Sequence, residues 1–469
     1  MTLRTVGPNS QFASIAAAMG AAGPGDTVRL ESGYSHETAT VRFSGMTLFG
    51  GAQSRDIVLN LGDGIATVTL TGTANFQLND ASDGNGIVGN AGNNVITVTG
   101  GVDAVDGGLG VDRLVVDYRQ ATGAVTGDST SNFTEAGGGG RSVTVTDGTV
   151  EHFTVLTGSG ADTITTGAGN DIIRTGQGAS TVSAGQGANI IIGGGDSDTI
   201  TALGGGNLVR AGNGTNTVTT GAGADVIFSG TGSDTITAGA GADHITVQGG
   251  ADSVDAGAGN DRLILNYAAL QTNVSGGIAG GNGTTGYVGH IADLVAATVD
   301  FQRVESFTIA TGSGDDTVTT GDGDDILRGN AGRDVFRAGG GQDLLFGGDG
   351  RDVLHGGKGA DQLTGGYGVD VFVFATLAEA GIGATHDVIR DFKSGVDHVN
   401  LAGIDADVTV NATGDQAFHF IGGAQFHAVA GELRYSGGMV RGDVDGDGAA
   451  DFTIEIGVIP TLNQHDFLL

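Results

Sequence analysis

Between Gly312 and Phe372 one apolar residue recurs every nine positions: Val318, Leu327, Phe336, Leu345, Leu354, Leu363 and Phe372. Two residues before each stands an aspartate: Asp316, Asp325, Asp334, Asp343, Asp352, Asp361 and Asp370. Two residues before each aspartate stands a glycine, from Gly314 to Gly368. The D-x-apolar half predicts a strand too short to bury a face alone. The G-x-G-x-D half predicts a tight turn, because glycine accepts φ > 0. Stacked turns that cover one another resolve the shortage of apolar surface. If two nonapeptides make one turn, residues eighteen apart lie one strand spacing apart, about 4.8 Å. The predicted fold class is all-β: a parallel β-roll or β-helix solenoid.

The pattern divides the chain. Residues 1–84 read as an N-terminal cap with β-helix-like coils. Phe12, Ile15, Ala16 and Met19 fall at helical spacing within Gln11 to Gly23, followed by short β-rich runs such as MTLFG and DIVLNL. Residues 85–116 start the nine-residue rhythm with Asn85, Asn94, Asp103 and Asp112, so half of its carboxylates are amides. Residues 117–156 are a first insertion, 157–265 a first roll, 266–310 a second insertion, 311–374 a second roll and 375–469 a C-terminal β cap. The runs DRLVVDY and DRLILNY lead out of the rhythm, and VEHFTV and VESFTI lead back, which marks an internal duplication. Tyr118 and Tyr267 are expected to cover exposed roll ends. Solenoid insertions tend to emerge on one side and often carry binding.

Stacking places aspartate above aspartate in columns that repel unless a cation enters. Calcium suits such a column, since it takes six to eight oxygen ligands from carboxylates and carbonyls. The expected metal ligands are Asp162, Asp171, Asp198, Asp225, Asp234, Asp243, Asp252 and Asp261 in the first roll, and Asp316, Asp325, Asp334, Asp343, Asp352, Asp361 and Asp370 in the second. Pairs eighteen apart are complete throughout the second roll. In the first they are complete for Asp225/Asp243, Asp243/Asp261 and Asp234/Asp252, but not for Ser180/Asp198 or Asn189/Asn207. A metal-poor middle held by amide and hydroxyl hydrogen bonds follows. Asp443, Asp445, Asp447 and Asp451 resemble the front of an EF-hand loop, with Ile454 where glutamate would close it. This stretch reads either as a further calcium site through Asp443, Asp445 and Asp447 or as an acidic hairpin turn.

The G-x-G-x-D-x-U unit resembles the calcium-binding repeat of RTX exoproteins. Residues 375 to 469, with DVIRDFKSGVDHVNLAGIDA and the terminal DFLL, resemble the C-terminal domain of serralysin-type members. That resemblance implies a roll cap carrying an uncleaved signal for a type I secretion apparatus. The N-terminal segment is similar to caps of pectate-lyase-type β-helices, a superfamily that includes polysaccharide lyases.

Composition narrows the function. The net charge is −33 and lysine occurs only at Lys358 and Lys393, which disfavours nucleic acid, whose binding needs basic stripes. Cysteine is absent, so disulfides and thiolate metal sites are excluded. No apolar run is long enough for a transmembrane helix, and the start MTLRTVGPNS lacks the features of a Sec signal. His36-Glu37 is followed by Thr40 where a zinc protease needs its second histidine. No G-x-S-x-G and no Walker loop occurs. The expected protein is secreted, extracellular or at the cell surface, non-enzymatic, and folded by multiple calcium ions. Its expected role is structural: surface layer, matrix or filament, with a homo-oligomer as one partner. Two alternatives stand beside it: an adhesin that binds cell-surface polysaccharide through the insertions, and a polysaccharide lyase or epimerase using the N-terminal β-helix.

Overall fold

In the nonapeptide strands one side chain points inward and its neighbours point out. Ile164, Val182, Ile200 and Val218 are buried between flanking residues that are not. In the computed structural model these residues stack in parallel register, Ile164 beside Val182, Val182 beside Ile200 and Ile200 beside Val218. A second ladder runs Ile173, Ile191, Val209, Ile227. Successive nonapeptides thus alternate between two parallel sheets, and residue i lies beside residue i+18. The structure describes residues 1–51, 53–80, 83–137, 139–293, 297–409, 416–459 and 462–469. They form two compact units, Met1–Thr231 and Gly232–Leu469.

The first unit begins with Leu3–Val6, which pairs with Thr27–Leu30. Its early coils are longer than the repeat: Val28 lies beside Leu48, and Leu48 beside Leu70. The helix is shorter than its sequence pattern predicts, Ile15–Gly20, with Ser14 as its N-cap. It buries Ile15, Ala18 and Met19, whereas Phe12 forms a bridge to Val6 instead of joining the helix. Glu37 accepts from the free amides of Ile15 and Ala16, both at 2.8 Å, which satisfies the exposed helix start.

In the second unit the ladders Val318–Phe336–Leu354–Phe372 and Leu327–Leu345–Leu363 continue past the repeat, to Val399 and Ile389. The C-terminal segment completes both sheets. Phe467–Leu468 pairs with His398–Asn400, and Phe452–Glu455 pairs with Asp387–Ile389 and with the antiparallel Met439–Asp443.

Both insertions have one topology, and it differs from a projecting appendage. Arg113–Asp117 pairs directly with His152–Leu156, so one sheet runs on uninterrupted. In the other sheet Ser142–Val145 pairs with Val102–Asp106, and Val125–Asp128 pairs with Thr163–Thr165. Asn132–Glu135 joins them as the middle of an antiparallel meander. Three strands therefore occupy the place of one. The second unit repeats this with Val274–Asn282, Gly286–Asp293 and Thr298–Val304. Aromatic side chains fill the widened core: Phe133 meets Phe153 at 5.8 Å and Phe301 meets Phe307 at 5.1 Å. Tyr118 and Tyr267 do not cover open ends; both are buried, at 0% and 4% exposure, where the chain enters each meander.

Candidate metal centre

The sixth position of each nonapeptide builds a ladder of its own. In the second unit the backbone amide of Asp316 donates to Oδ1 of Asp334 at 2.9 Å, Asp334 to Asp352 at 2.9 Å, and Asp352 to Asp370 at 3.0 Å. A second column runs Asp325 to Asp343 at 2.7 Å and Asp343 to Asp361 at 2.9 Å. All seven aspartates are fully buried. One oxygen of each carboxylate is thereby committed to the chain. The other is not: Oδ2 of Asp334, Asp343, Asp352, Asp361 and Asp370 is buried with no hydrogen-bond partner. Thr311 and Thr320 lie beside Asp316 and Asp325.

Glycine makes the close approach possible. A Cβ on Gly347 would fall 2.3 Å from Asp352 Oδ2, and one on Gly368, at φ +140°, would fall 1.5 Å from the carbonyl oxygen of Gly350. The chain thus presses carbonyls and carboxylates together without side chains between them.

Such carboxylates are costly to ionise without a counter-charge. Burial pushes Asp334 up to about 8, with Asp316 and Asp352 adding like-charge repulsion. Burial likewise pushes Asp343 up to about 9 and Asp325 to about 7. The donor set, all oxygen and partly unsatisfied, is of the type a hard divalent cation requires.

The columns do not stop at the last nonapeptide. Asp361 donates its amide to Asp387 Oδ1 at 2.7 Å, and Asp370 to Asp397 Oδ1 at 3.1 Å. Both acceptors are buried, and burial pushes Asp387 up to about 8. Sequence reasoning missed them because they lie 26 and 27 residues on instead of eighteen. The usable signal was the acid-x-apolar triplet, Asp387 before Ile389 and Asp397 before Val399. Glu151 before Phe153 and Glu305 before Phe307 carry the same triplet and were also missed. The amides of Asp112 and Asp261 donate to them at 2.7 and 2.8 Å.

The earlier expected residues occupy equivalent places. Asp234 donates to Asp252 at 2.9 Å and Asp243 to Asp261 at 2.8 Å. In the first unit Asp162 accepts from Val125, Asp171 from Phe153, Asp198 from Ser180 and Asp225 from Asn207. Between them neutral groups take over: Asn189 Nδ2 donates to Asn207 Oδ1 at 3.1 Å and to the Gly187 carbonyl at 3.2 Å. An amide supplies its own donors, so this stretch needs no added positive charge. Carboxylate oxygens of Asp443, Asp445 and Asp447 lie within 4.8 Å of one another. Asp443 is buried and already accepts from Gly446 and Gly448, while the other two are exposed.

Among the described residues no helix is long and apolar enough to cross a membrane. A search of curated proteins returned no match. Among solved structures the extracellular lipase LipA from Serratia marcescens is similar at 14% identity over 62% of this chain and 45% of that chain, with a TM-score of 0.14, too low to carry an argument. The RTX calcium-binding nonapeptide repeat (4 copies) matches residues 82–114, overlapping segments from 154 to 263, and 310–374. That family is a calcium-binding repeat, and its matches cover the nonapeptide aspartates described above but not Asp387 or Asp397. Over these three blocks the chain carries the calcium-binding nonapeptide repeat of the RTX family.

Proposed function

We propose that this chain is an extracellular, non-enzymatic structural protein whose two units fold on calcium after export by a type I route. Calcium would be held by the buried carboxylates Asp316, Asp334, Asp352 and Asp370 in one column, and Asp325, Asp343 and Asp361 in the other. Asp387 and Asp397 close these columns. In the remaining repeats Asp234, Asp243, Asp252 and Asp261 fill the same role, with Asp162, Asp171, Asp198 and Asp225 forming sparser sites among amides. Bound calcium supplies the positive charge that lets these carboxylates stay ionised while buried. The observation that carries this reading is the row of buried Oδ2 atoms without hydrogen-bond partners at Asp334, Asp343, Asp352, Asp361 and Asp370.

Extracellular calcium modules bind at roughly 10⁻⁴ to 10⁻³ M. At tenfold excess each site adds about 1.4 kcal/mol to stability, so a few sites rival the net stability of a domain. At cytosolic calcium this contribution vanishes, and a chain of net charge −33 repels itself. That arithmetic suits export in an unfolded state. The resemblance of residues 375–469 to a serralysin-type secretion domain supports the route. Circular dichroism of the full chain in millimolar calcium and in excess EDTA tests the reading: a full β spectrum in EDTA refutes it.

One observation favours ligand binding as a second role. A cleft of about 490 Å³ opens at the first insertion, lined by Ser129, Thr130, Asp147, Glu151 and His152 among others. Binding to a glycan array that disappears when residues 119–149 are deleted would establish an adhesin.

A further inference from the structure

We propose that Asp261 and Glu305 form a further calcium site, in which a glutamate outside the nonapeptides ends the carboxylate column at the second insertion. The proposal rests on the reading that calcium occupies the aspartate columns. Arg262 lies beside Ser306 and Leu263 beside Phe307, which puts Glu305 at the rung after Asp261. The contact is that of the aspartate rungs: the Asp261 amide donates to Glu305 Oε2 at 2.8 Å.

Beyond this rung the register steps. The next coil aligns Ile309 with Leu327, and Asp325 Oδ1 accepts from the Phe307 amide at 2.6 Å. The downstream column therefore starts two residues further along the strand, and Glu305 closes the upstream one.

Two features point to a cation. Asp261 is fully buried and its Oδ2 has no hydrogen-bond partner, while Glu305 is 6% exposed. The basic group acting on Asp261, Arg303, is itself ion-paired with Asp255. Asp261 accepts from the Asp243 amide and Glu305 from the Asp261 amide, so the two carboxylates stand on successive rungs. Both ionised, with no counter-ion of their own, they would repel; a hard divalent cation with oxygen preference relieves that. At the same level of the other sheet Asp252 falls beside Val299, which offers no carboxylate. The duplicate pair Asp112 and Glu151 shares the amide contact, but Glu151 is exposed, so the proposal is confined to Glu305.

Native mass spectrometry of the full chain, equilibrated with calcium, counts bound ions in the wild type, Glu305→Gln and Asp352→Asn. The Glu305→Gln variant keeps a side-chain oxygen for the Asp261 amide, so its fold is expected to persist by circular dichroism. The expected result is one calcium fewer in Glu305→Gln. An unchanged count in Glu305→Gln, with ions lost in Asp352→Asn, overturns the proposal and leaves the column reading intact. A wild type that binds no calcium overturns both. Should Glu305→Gln fail to fold, anomalous scattering from wild-type crystals grown in calcium decides. A peak between Asp261 and Glu305 supports the site; its absence beside peaks at Asp334 and Asp352 overturns it.

Discussion

The backbone amide of Asp361 donates to Oδ1 of Asp387 at 2.7 Å, although only the first belongs to a nonapeptide. The C-terminal segment thus ends the carboxylate column with a carboxylate of its own, where a simple lid would leave a buried amide bare. Removing that acceptor leaves a buried donor unsatisfied, which costs about 1–3 kcal/mol. Asp387→Ala is expected to lose about that much in urea unfolding in saturating calcium. Asp387→Asn, which keeps an oxygen for the amide, is expected to lose less under those conditions. Equal losses would show that the amide contact is immaterial.

In calcium-free buffer the pH dependence has a definite sign. Asp334, Asp343 and Asp387 have folded-state values near 8, 9 and 8, above the ordinary 3.8, because burial disfavours their charged forms. A carboxylate raised in this way contributes stability that is complete below its unfolded value and is lost as pH rises through its folded value. The second unit without calcium is therefore expected to weaken steadily between about pH 5 and pH 9. With calcium bound the dependence reverses, since the ligands must be ionised. Circular dichroism across this range in EGTA reads the first slope, as β signal that falls with rising pH, and thermal melts in calcium read the second; a β signal in EGTA that does not fall with pH would contradict the columns.

Hydrogen exchange separates the two kinds of repeat. The Asn189–Asn207 rung is joined by its own amide donor at 3.1 Å, whereas Asp334 and Asp352 face each other as carboxylates. On chelation, amides of residues 316–370 are expected to lose protection before those of residues 180–207. Simultaneous loss would mean that the neutral rungs depend on metal as well.

Gly347 tests how tightly the carboxylate is enclosed. A methyl group there would sit 2.3 Å from Asp352 Oδ2 and 2.7 Å from the Gly365 carbonyl. Gly347→Ala is expected to cost about 1–3 kcal/mol by overpacking and to weaken calcium binding measured by calorimetry. Gly20, with nothing within 4 Å of an added Cβ, is the control: its alanine variant is expected to be neutral or slightly more stable.

The insertion cores depend on their aromatic pairs. Phe133 is fully buried against Phe153 at 5.8 Å. Phe133→Ala is expected to cost about 3–5 kcal/mol, measured as a fall in the denaturant midpoint with calcium held constant. A change under about 1 kcal/mol would mean that the meander does not share the core.

The nonapeptide period was legible because it is local. Gly368 must accept φ +140°, Asp370 must follow two residues later and Phe372 must point inward, and each requirement acts within a few residues of chain. From that alone the β-roll class and the eighteen-residue stacking of Asp334 on Asp352 could be read. The three-strand meanders could not, because strands such as Asn132–Glu135 are held by antiparallel partners that no short-range pattern names. The same limit hid Asp387, Asp397, Glu151 and Glu305. Each keeps the acid-x-apolar triplet, but its place in a column depends on a loop of irregular length that only the folded chain closes. Periodic spacing determined where carboxylates would stack; long-range pairing decided where each stack ends, since an end is defined by the neighbour that arrives there.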